Sequence, residues 1–591
     1  MSLFAKPGTS GNDFGVTDGS LSVLGDVVAA YGGNDTIYIH GGNDTVYGGS
    51  GNDIIRDQET FGVGSGNDRI YAGSGDDIIF SGQGFDRIDG GTGIDTVDYS
   101  GSDAGITLNL ARGAGSGGHA EGDLVLGVEN LIGSAHADRI EGSDLANRLV
   151  GNGGNDRILG LAGNDTLDGG TGNDLLDGGL GRDTLYGGSG GDSLHGGADV
   201  DFLAGGSGND RLDGGDHDDV LTGETGHDTL YGGNGADRMY GGTGLDRLYG
   251  GAGDDVIEGN ADNDILHGGS GADAMDGGAG DDQLFGGDDA DSITGGDGND
   301  LIDGGAGADR ISAGAGDDLV YLTDGDAAFG GEGVDTLSLA RIAADATTID
   351  VNFGRVGGDV TATFGDFERI IGTSGADTMS VRGRDFTMDG GAGNDVISAE
   401  GGNVSLFGGH GDDHLRVNSM GNSLLSGGEG NDIISSQGGN DRIHGGNGRD
   451  FVSGGSGEDL LDAGTGDDLL FGGAGVDTLI GGEGADLIEG GFGADILTGG
   501  AGADTFRFWS SDSSRIASDR ITDFTQGEDV IDLHLLSGTL GLSKSGAAGT
   551  VFHHHAFGQT IVEAHLDSDG LADLRIVMDG LFKLGVDDFL L

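Results

Sequence analysis

The sequence predicts an all-β protein, a parallel β-roll in stacked blocks closed by a β-rich C-terminal cap. Three observations predict it. A nine-residue unit repeats with almost no loss of phase, each copy ending a glycine turn on an aspartate. An aliphatic residue falls two places after that aspartate. Proline, which interrupts hydrogen-bonded ladders, occurs once in 591 residues, as Pro7. A fixed short period means a solenoid that grows in one dimension, whatever the length alone would suggest.

The unit reads Gly-Gly-x-Gly-x-Asp-x-U-x, with U aliphatic. Gly169-Gly170-Thr171-Gly172-Asn173-Asp174-Leu175-Leu176-Asp177 is one copy. Its glycines permit positive φ and a tight, carbonyl-rich turn. The three residues after the aspartate are expected to form a brief strand. Its middle residue (Leu176, Leu185, Leu194, Leu203) points inward, and neighbours such as Thr184, Tyr186, Arg211 and Asp213 point outward. Two units make one coil, so residues 18 apart stack on the same side.

Residues 1–95 carry a ragged first block, with aspartates at Asp35, Asp44, Asp53, Asp68, Asp77, Asp86 and Asp95. Residues 96–150 are a β insertion, in which Ile106-Thr107-Leu108-Asn109-Leu110 alternates apolar and polar side chains and Val128-Glu129-Asn130-Leu131-Ile132 follows. Residues 151–320 hold the main roll. Its aspartates never slip: Asp156, Asp165, Asp174, Asp183, Asp192, Asp201, Asp210, Asp219, Asp228, Asp237, Asp246, Asp255, Asp264, Asp273, Asp282, Asp291, Asp300, Asp309 and Asp318. Residues 321–388 form a second insertion that resembles the first, with Thr348-Ile349-Asp350-Val351-Asn352-Phe353 and then Phe367-Glu368-Arg369-Ile370-Ile371. Both insertions are expected to continue the stack with longer coils, separate globular domains being the alternative. Residues 389–504 are the last roll, with Asp395, Asp413, Asp432, Asp441, Asp450, Asp459, Asp468, Asp477, Asp486, Asp495 and Asp504. Val404 and Asn422 are read into the aspartate place there, with one extra residue before Asp432. Residues 505–591 form the cap, where Thr505-Phe506-Arg507-Phe508-Trp509, Asp519–Phe524 and Asp529–Leu533 read as strands with aromatic core residues.

Composition narrows the function. The 136 glycines lack a three-residue period, which excludes collagen. A net charge of −75 argues against nucleic acid and anionic membrane as partners, since both need positive surface. An acidic disordered chain is the alternative. The phased aspartates and aliphatics oppose it for the metal-bound chain, while the metal-free chain is expected to be disordered. There is no cysteine. No run of 18 apolar residues predicts a membrane span. Met1–Pro7 lacks the apolar core of a secretory signal peptide.

Carboxylates such as Asp174 and Asp192, about 4.8 Å apart in the stacking direction, would repel or raise each other's pKa. A divalent cation between them reverses the sign. Aspartate oxygens plus turn carbonyls make an all-oxygen shell, which suits Ca²⁺ better than Mg²⁺. Zinc and copper are poorly served without cysteine. The expected ligands are the repeat aspartates named above, holding about 25–30 ions whose binding energy is folding energy.

These residues resemble the RTX family, the hemolysin-type calcium-binding repeats, over about residues 30 to 510. The resemblance implies Ca²⁺ in the turns of a parallel β-roll. It also implies export by a type I ABC secretion machinery that reads an uncleaved C-terminal signal, followed by folding on extracellular Ca²⁺. Residues 501–591 resemble the C-terminal segment of serralysin-like and alginate-modifying members, including Asp523-Phe524, Gly527-Glu528-Asp529 and the final Asp588-Phe589-Leu590-Leu591. No His-Glu-x-x-His protease motif is present. Repeats beginning near residue 30 leave no room ahead of them for an epimerase domain.

Several weaker constellations stand beside the repeat. His553-His554-His555 is read as an exposed loop or strand rather than a metal site. His195, His267 and His444 are read as solvated outward residues. Asp567-Ser568-Asp569-Gly570 with Asp573 resembles part of a calcium loop but lacks the twelfth-place glutamate, which is Met578. Tyr186, Tyr231, Tyr240 and Tyr249 could form a sugar-binding stripe, against the plainer reading of strand-surface tyrosines. The expected function is a secreted, extracellular or cell-surface calcium-binding protein without a catalytic site, a surface-layer, matrix or adhesive component. Cell-surface polysaccharide and copies of itself are its candidate partners. A polysaccharide-modifying exoenzyme and an accessory module of a larger exoprotein are the alternatives.

Overall fold

The computed structural model describes residues 11–12, 14–17, 25–39, 41–57, 66–342, 347–358, 361–509, 518–536 and 540–591. Met1–Pro7 lies outside them. The chain forms two compact units, Met1–Ile311 and Ser312–Leu591. Among the described residues the regular structure is strand, apart from two short 3₁₀ turns at Gly118–Ala120 and Val586–Asp588.

In the first unit successive strands alternate between two parallel sheets. Arg157–Ala162, Leu175–Leu180 and Ser193–Ala198 stack in one, with Leu176 opposite Leu194. Thr166–Thr171, Thr184–Ser189 and Phe202–Ser207 stack in the other, with Leu185 opposite Leu203. The pairing step is 18 residues, as the period requires. The aliphatic places Leu176, Leu185 and Leu203 are completely buried and form the thin core between the sheets.

In the main roll the strands run to six residues rather than the three expected. Thr166–Thr171 runs through its glycine pair, and Gly170 pairs with Gly188. Period-two alternation then turns three places of every unit inward: the aspartate, the aliphatic and the first glycine of the pair, as in Asp174, Leu176 and Gly178.

The insertions continue the stack. In the first, Thr107–Asn109, Ala114–Ser116 and Leu124–Leu126 make an antiparallel excursion. Leu124–Leu126 then lies parallel on Arg87–Thr92, and Asn130–Ile132 on Thr96–Asp98. The second unit repeats the device with Thr347–Asp350, Arg355–Gly358 and Ala362–Gly365. There Ala362–Gly365 returns onto Ala327–Glu332 and Arg369–Ile371 onto Thr336–Ser338.

One register expectation is corrected. Val404 does stand in the aspartate place, but the residue stacked in register with it is Ser423 rather than Asn422, because Ser405 pairs with Leu424. The extra residue is taken up in the turn between Val417 and Ser423, and Asn422 occupies the exposed place before it.

The cap ends the second unit. Asp519–Ile521 lies on Ile496–Ala501, Val530–Asp532 on Thr505–Arg507, and Phe589–Leu590 on Val530–Asp532. Phe506, Phe524 and Phe582 pack in a row with ring separations of 6.3 and 5.6 Å. An antiparallel meander, Thr550–Ala556, Gln559–His565 and Leu574–Asp579, completes it.

Candidate metal centre

Every aspartate expected from the repeat is buried, with at most 3 % of its surface exposed. The strand alternation puts it there, beside the aliphatic core. Its Oδ1 accepts the backbone N–H of the equivalent residue one rung earlier. Asp156 donates to Asp174, Asp174 to Asp192 and Asp192 to Asp210, at 2.7 to 2.8 Å. The same bond runs through the second unit, from Asp395 to Asp413 and from Asp450 to Asp468.

The other oxygen is different. At Asp174, Asp183, Asp192, Asp219, Asp228 and Asp237, Oδ2 is buried and no protein donor reaches it. It lies over the inward glycine of its own unit. A Cβ on Gly169 would stand 2.4 Å from Asp174 Oδ2 and 2.8 Å from the Gly187 carbonyl. A Cβ on Gly178 would meet Asp183 Oδ2 and the Gly196 carbonyl at the same distances. Where that place holds glycine, it opens a hollow in which a carboxylate oxygen and a main-chain oxygen converge; Ala72, Ala313 and Ala463 stand there ahead of Asp77, Asp318 and Asp468. A buried carboxylate oxygen without a donor, set beside a main-chain oxygen, is unfavourable unless a cation lies between them. The donor set is all oxygen, which fits calcium. Among the described residues no three His, Cys, Asp or Glu side chains converge on one point, so carbonyls must complete any shell.

Burial sets the electrostatics. It pushes Asp219 and Asp264 up to about 8, Asp156 and Asp165 to about 7, and Asp174 and Asp192 to about 6. Neighbouring carboxylates add to this, and the N–H bond from the earlier rung opposes it. Repulsion between rungs, expected to dominate, is the smaller cause; desolvation is the larger.

One expected aspartate has its second oxygen engaged by a hydroxyl: Ser436 donates to Asp441 Oδ2. Conversely, residues not foreseen share the aspartate place. Asp26 and Asp138 donate to Asp44 and Asp156, and Asp377 to Asp395. Asp123, Asp335, Asp519 and Asp529 accept from Asp86, Asp318, Asp495 and Asp504. Asn147 fills the place ahead of Asp165. Glu129 and Glu368 reach in to accept from Asp95 and Asp335. The signal for Asp138 and Asp377 was present as Gly133-Ser134 and Gly372-Thr373 five residues ahead. There the hydroxyls of Ser134 and Thr373 donate to the carboxylate and close the hollow.

The weaker constellations resolve as surface features. His553, His554 and His555 lie on the strand Thr550–Ala556, with His555 against Thr560. His195 and His444 are half-exposed beside Asp213 and Asp462. Asp567 and Asp569 cap their own turn, accepting from the N–H of Asp569 and Leu571. Tyr231, Tyr249, His267 and Phe285 form one stack, 4.8 to 5.1 Å between rings. Arg211 covers the open face of Tyr231 at 4.2 Å. Ring faces so engaged are not offered to a sugar, and the stack reads as cross-rung packing.

Comparison with known families accords with this geometry. The RTX calcium-binding nonapeptide repeat matches residues 24–55 and 63–97, overlapping stretches that together span 132–327, and others that together span 389–506. These matches cover well over half of the chain. It belongs to the RTX family. The RTX repeats are calcium-binding, which agrees with the all-oxygen hollows. No curated protein matches this RTX chain in sequence. Among solved structures it is similar to two subunits of the Azotobacter vinelandii mannuronan C5-epimerase. For AlgE6R3 the identity is 31%, covering 24% of this chain and 78% of that one, with a TM-score of 0.20. For AlgE6R2 it is 31%, covering 25% and 91%, with a TM-score of 0.19. The extracellular lipase LipA of Serratia marcescens is 15% identical, covering 59% of this chain and 40% of that one, with a TM-score of 0.14.

Proposed function

We propose that this RTX protein is exported and is an extracellular structural component of a surface layer, matrix or adhesive, built by calcium and without catalysis of its own. The observation that carries this reading is the repeated hollow: a donorless buried Oδ2 facing a glycine carbonyl at rung after rung. Asp174 Oδ2 and the Gly187 carbonyl, and their equivalents at the other repeat aspartates, are the groups that would hold Ca²⁺. Calcium, when bound, supplies positive charge to oxygens that cannot all stay ionised without it. The chain's own part is to hold the Oδ1 side of each carboxylate on a backbone N–H and aim the other oxygen into the hollow. The rungs Asp138, Asp377 and Asp441, whose carboxylates are closed by protein hydroxyls, would be weaker sites.

Export is assigned to a type I ABC secretion machinery reading residues 505–591, and self-assembly or cell-surface polysaccharide supplies the partner. The strands Val530–Asp532 and Phe589–Leu590 that close the cap lie inside this segment. Immunolabelling should find the protein outside the producing cell as a lattice or matrix, and deletion of residues 530–591 should trap it inside. Continued secretion of the deletion, or a soluble protein retained in the cytosol, refutes the proposal.

A further inference from the structure

The chain contains its own control for one polar site. Residues 77–132 of the first unit and 318–371 of the second build the same element, a rung followed by the antiparallel excursion. Register equates Asp77 with Asp318, hence Ser81 with Leu322. It equates Asp95 with Asp335, through Glu129 and Glu368, hence Tyr99 with Leu339 and Ser102 with Ile342. Leu124 on Arg87 matches Thr363 on Ala327, hence Asp123 matches Ala362.

In the second copy Leu322, Leu339, Ile342 and Ala362 form ordinary apolar core. In the first, the equivalent Ser81, Tyr99, Ser102 and Asp123 are as deeply buried. Tyr99 Oη donates to Asp123 Oδ2 at 2.8 Å, and Ser102 Oγ accepts the His119 N–H at 3.0 Å. Burying such a network costs free energy that an apolar core does not incur. The second copy shows that the element is built without it.

Ser81 and His119 help to line a cavity of about 430 Å³, within the size range of small-molecule sites. His119 is 8 % exposed, and its Nδ1 has no hydrogen-bond partner. The other walls include Arg56, Asp57, Gln83, Asp98 and Asp103. The Arg56 guanidinium is held 3.7 Å over the Phe80 ring. Three carboxylates against one guanidinium leave the wall net negative, which opposes an anionic ligand. Among the described residues no cluster here can hold a metal by side chains alone. Planar carboxylate, amide, guanidinium and imidazole groups around one cavity match the paired donors and acceptors of vicinal hydroxyls.

We propose that this cavity binds one or two rings of a sugar that carries no negative charge, a neutral or amino hexose. No repeat aspartate lines this cavity, so either reading can fail without the other.

The test is saturation-transfer NMR and titration calorimetry on the calcium-loaded full chain. The probes are methyl glucoside, methyl mannoside, methyl galactoside, N-acetylglucosamine, glucosamine and glucuronate. At least one neutral or amino sugar should bind, and glucuronate should not. Asp98→Ser, which copies Ser338 of the second element, should weaken binding by about tenfold or more. Gln83→Ala should do the same, and Ser338→Ala should leave binding unchanged. Circular dichroism checks folding, and Gln83→Ala carries the test should Asp98→Ser lose its β-signal. No binding across the panel, preference for glucuronate, or undiminished binding by the folded variants overturns the proposal.

Discussion

The backbone N–H of Asp174 donates to Oδ1 of Asp192, one rung further on, at 2.7 Å. The adjacent residue works in the opposite direction, since Asn173 Oδ1 accepts from the N–H of Gly191 at 2.8 Å. Each inward carboxylate thus divides its labour. One oxygen ties rungs together, and the other is left for a cation.

Asn and Ala at Asp192 separate the two tasks. Asp192→Asn keeps an acceptor for the Asp174 N–H but removes the charge. Asp192→Ala removes both and strands a buried N–H, a further cost of about 1–3 kcal/mol. Thermal melts in calcium should rank wild type above Asn and Asn above Ala. The exposed Asp288→Asn should stay within about 0.5 kcal/mol of wild type. Equal melting of the Asn and Ala proteins would show that the ladder bond contributes nothing.

Gly187→Ala should close one hollow. Its Cβ would lie 2.6 Å from Asp192 Oδ2 and 2.5 Å from the Gly205 carbonyl. Metal counting on the purified protein should show fewer bound calcium ions than wild type, with a lower melting temperature. An unchanged ion count would remove Asp192 Oδ2 from the ligand set.

The pH response of the metal-free chain follows from the raised carboxylates. Folded values of about 6 to about 8 lie above the ordinary 3.8. Protonation therefore favours the fold. The contribution is full below about pH 4 and is lost as pH rises through 6 to 8. In chelator, circular dichroism should show β-signal growing as pH falls from 8 to 5. With calcium the trend reverses, because binding requires the ionised carboxylates. A metal-free chain that gains structure on going alkaline would contradict the burial argument.

Chelation at neutral pH should leave the chain largely coil, and millimolar Ca²⁺ should restore the β-signal. Mg²⁺ at equal concentration should do so poorly, since it holds its water and demands a stricter octahedron. A fully folded spectrum in chelator would show that the thin leucine core suffices alone.

The roll itself was legible because its period is short and its core simple. Leu176 and Leu194 are 18 residues apart in the chain and neighbours in the sheet. The double role of the carboxylate was not legible, since it depends on where the N–H of the adjoining rung points. Nor were the places taken by Asp123 and Asp519. Their partners Asp86 and Asp495 stand 37 and 24 residues away, across coils whose length only the folded chain reveals. Ser423 was missed for a related reason: the extra residue ahead of it can be placed on either side of Asn422 until the strands pair.

The one-way bonding of Asp174 to Asp192 makes the two cut edges of such a stack chemically unlike. Trimming from the front bares the inward carboxylates, while the outward amides held by residues such as Asn173 lose their acceptors there. Trimming from the back bares the inward amide hydrogens beside the leucine core, so each margin offers a foreign strand a different set of groups.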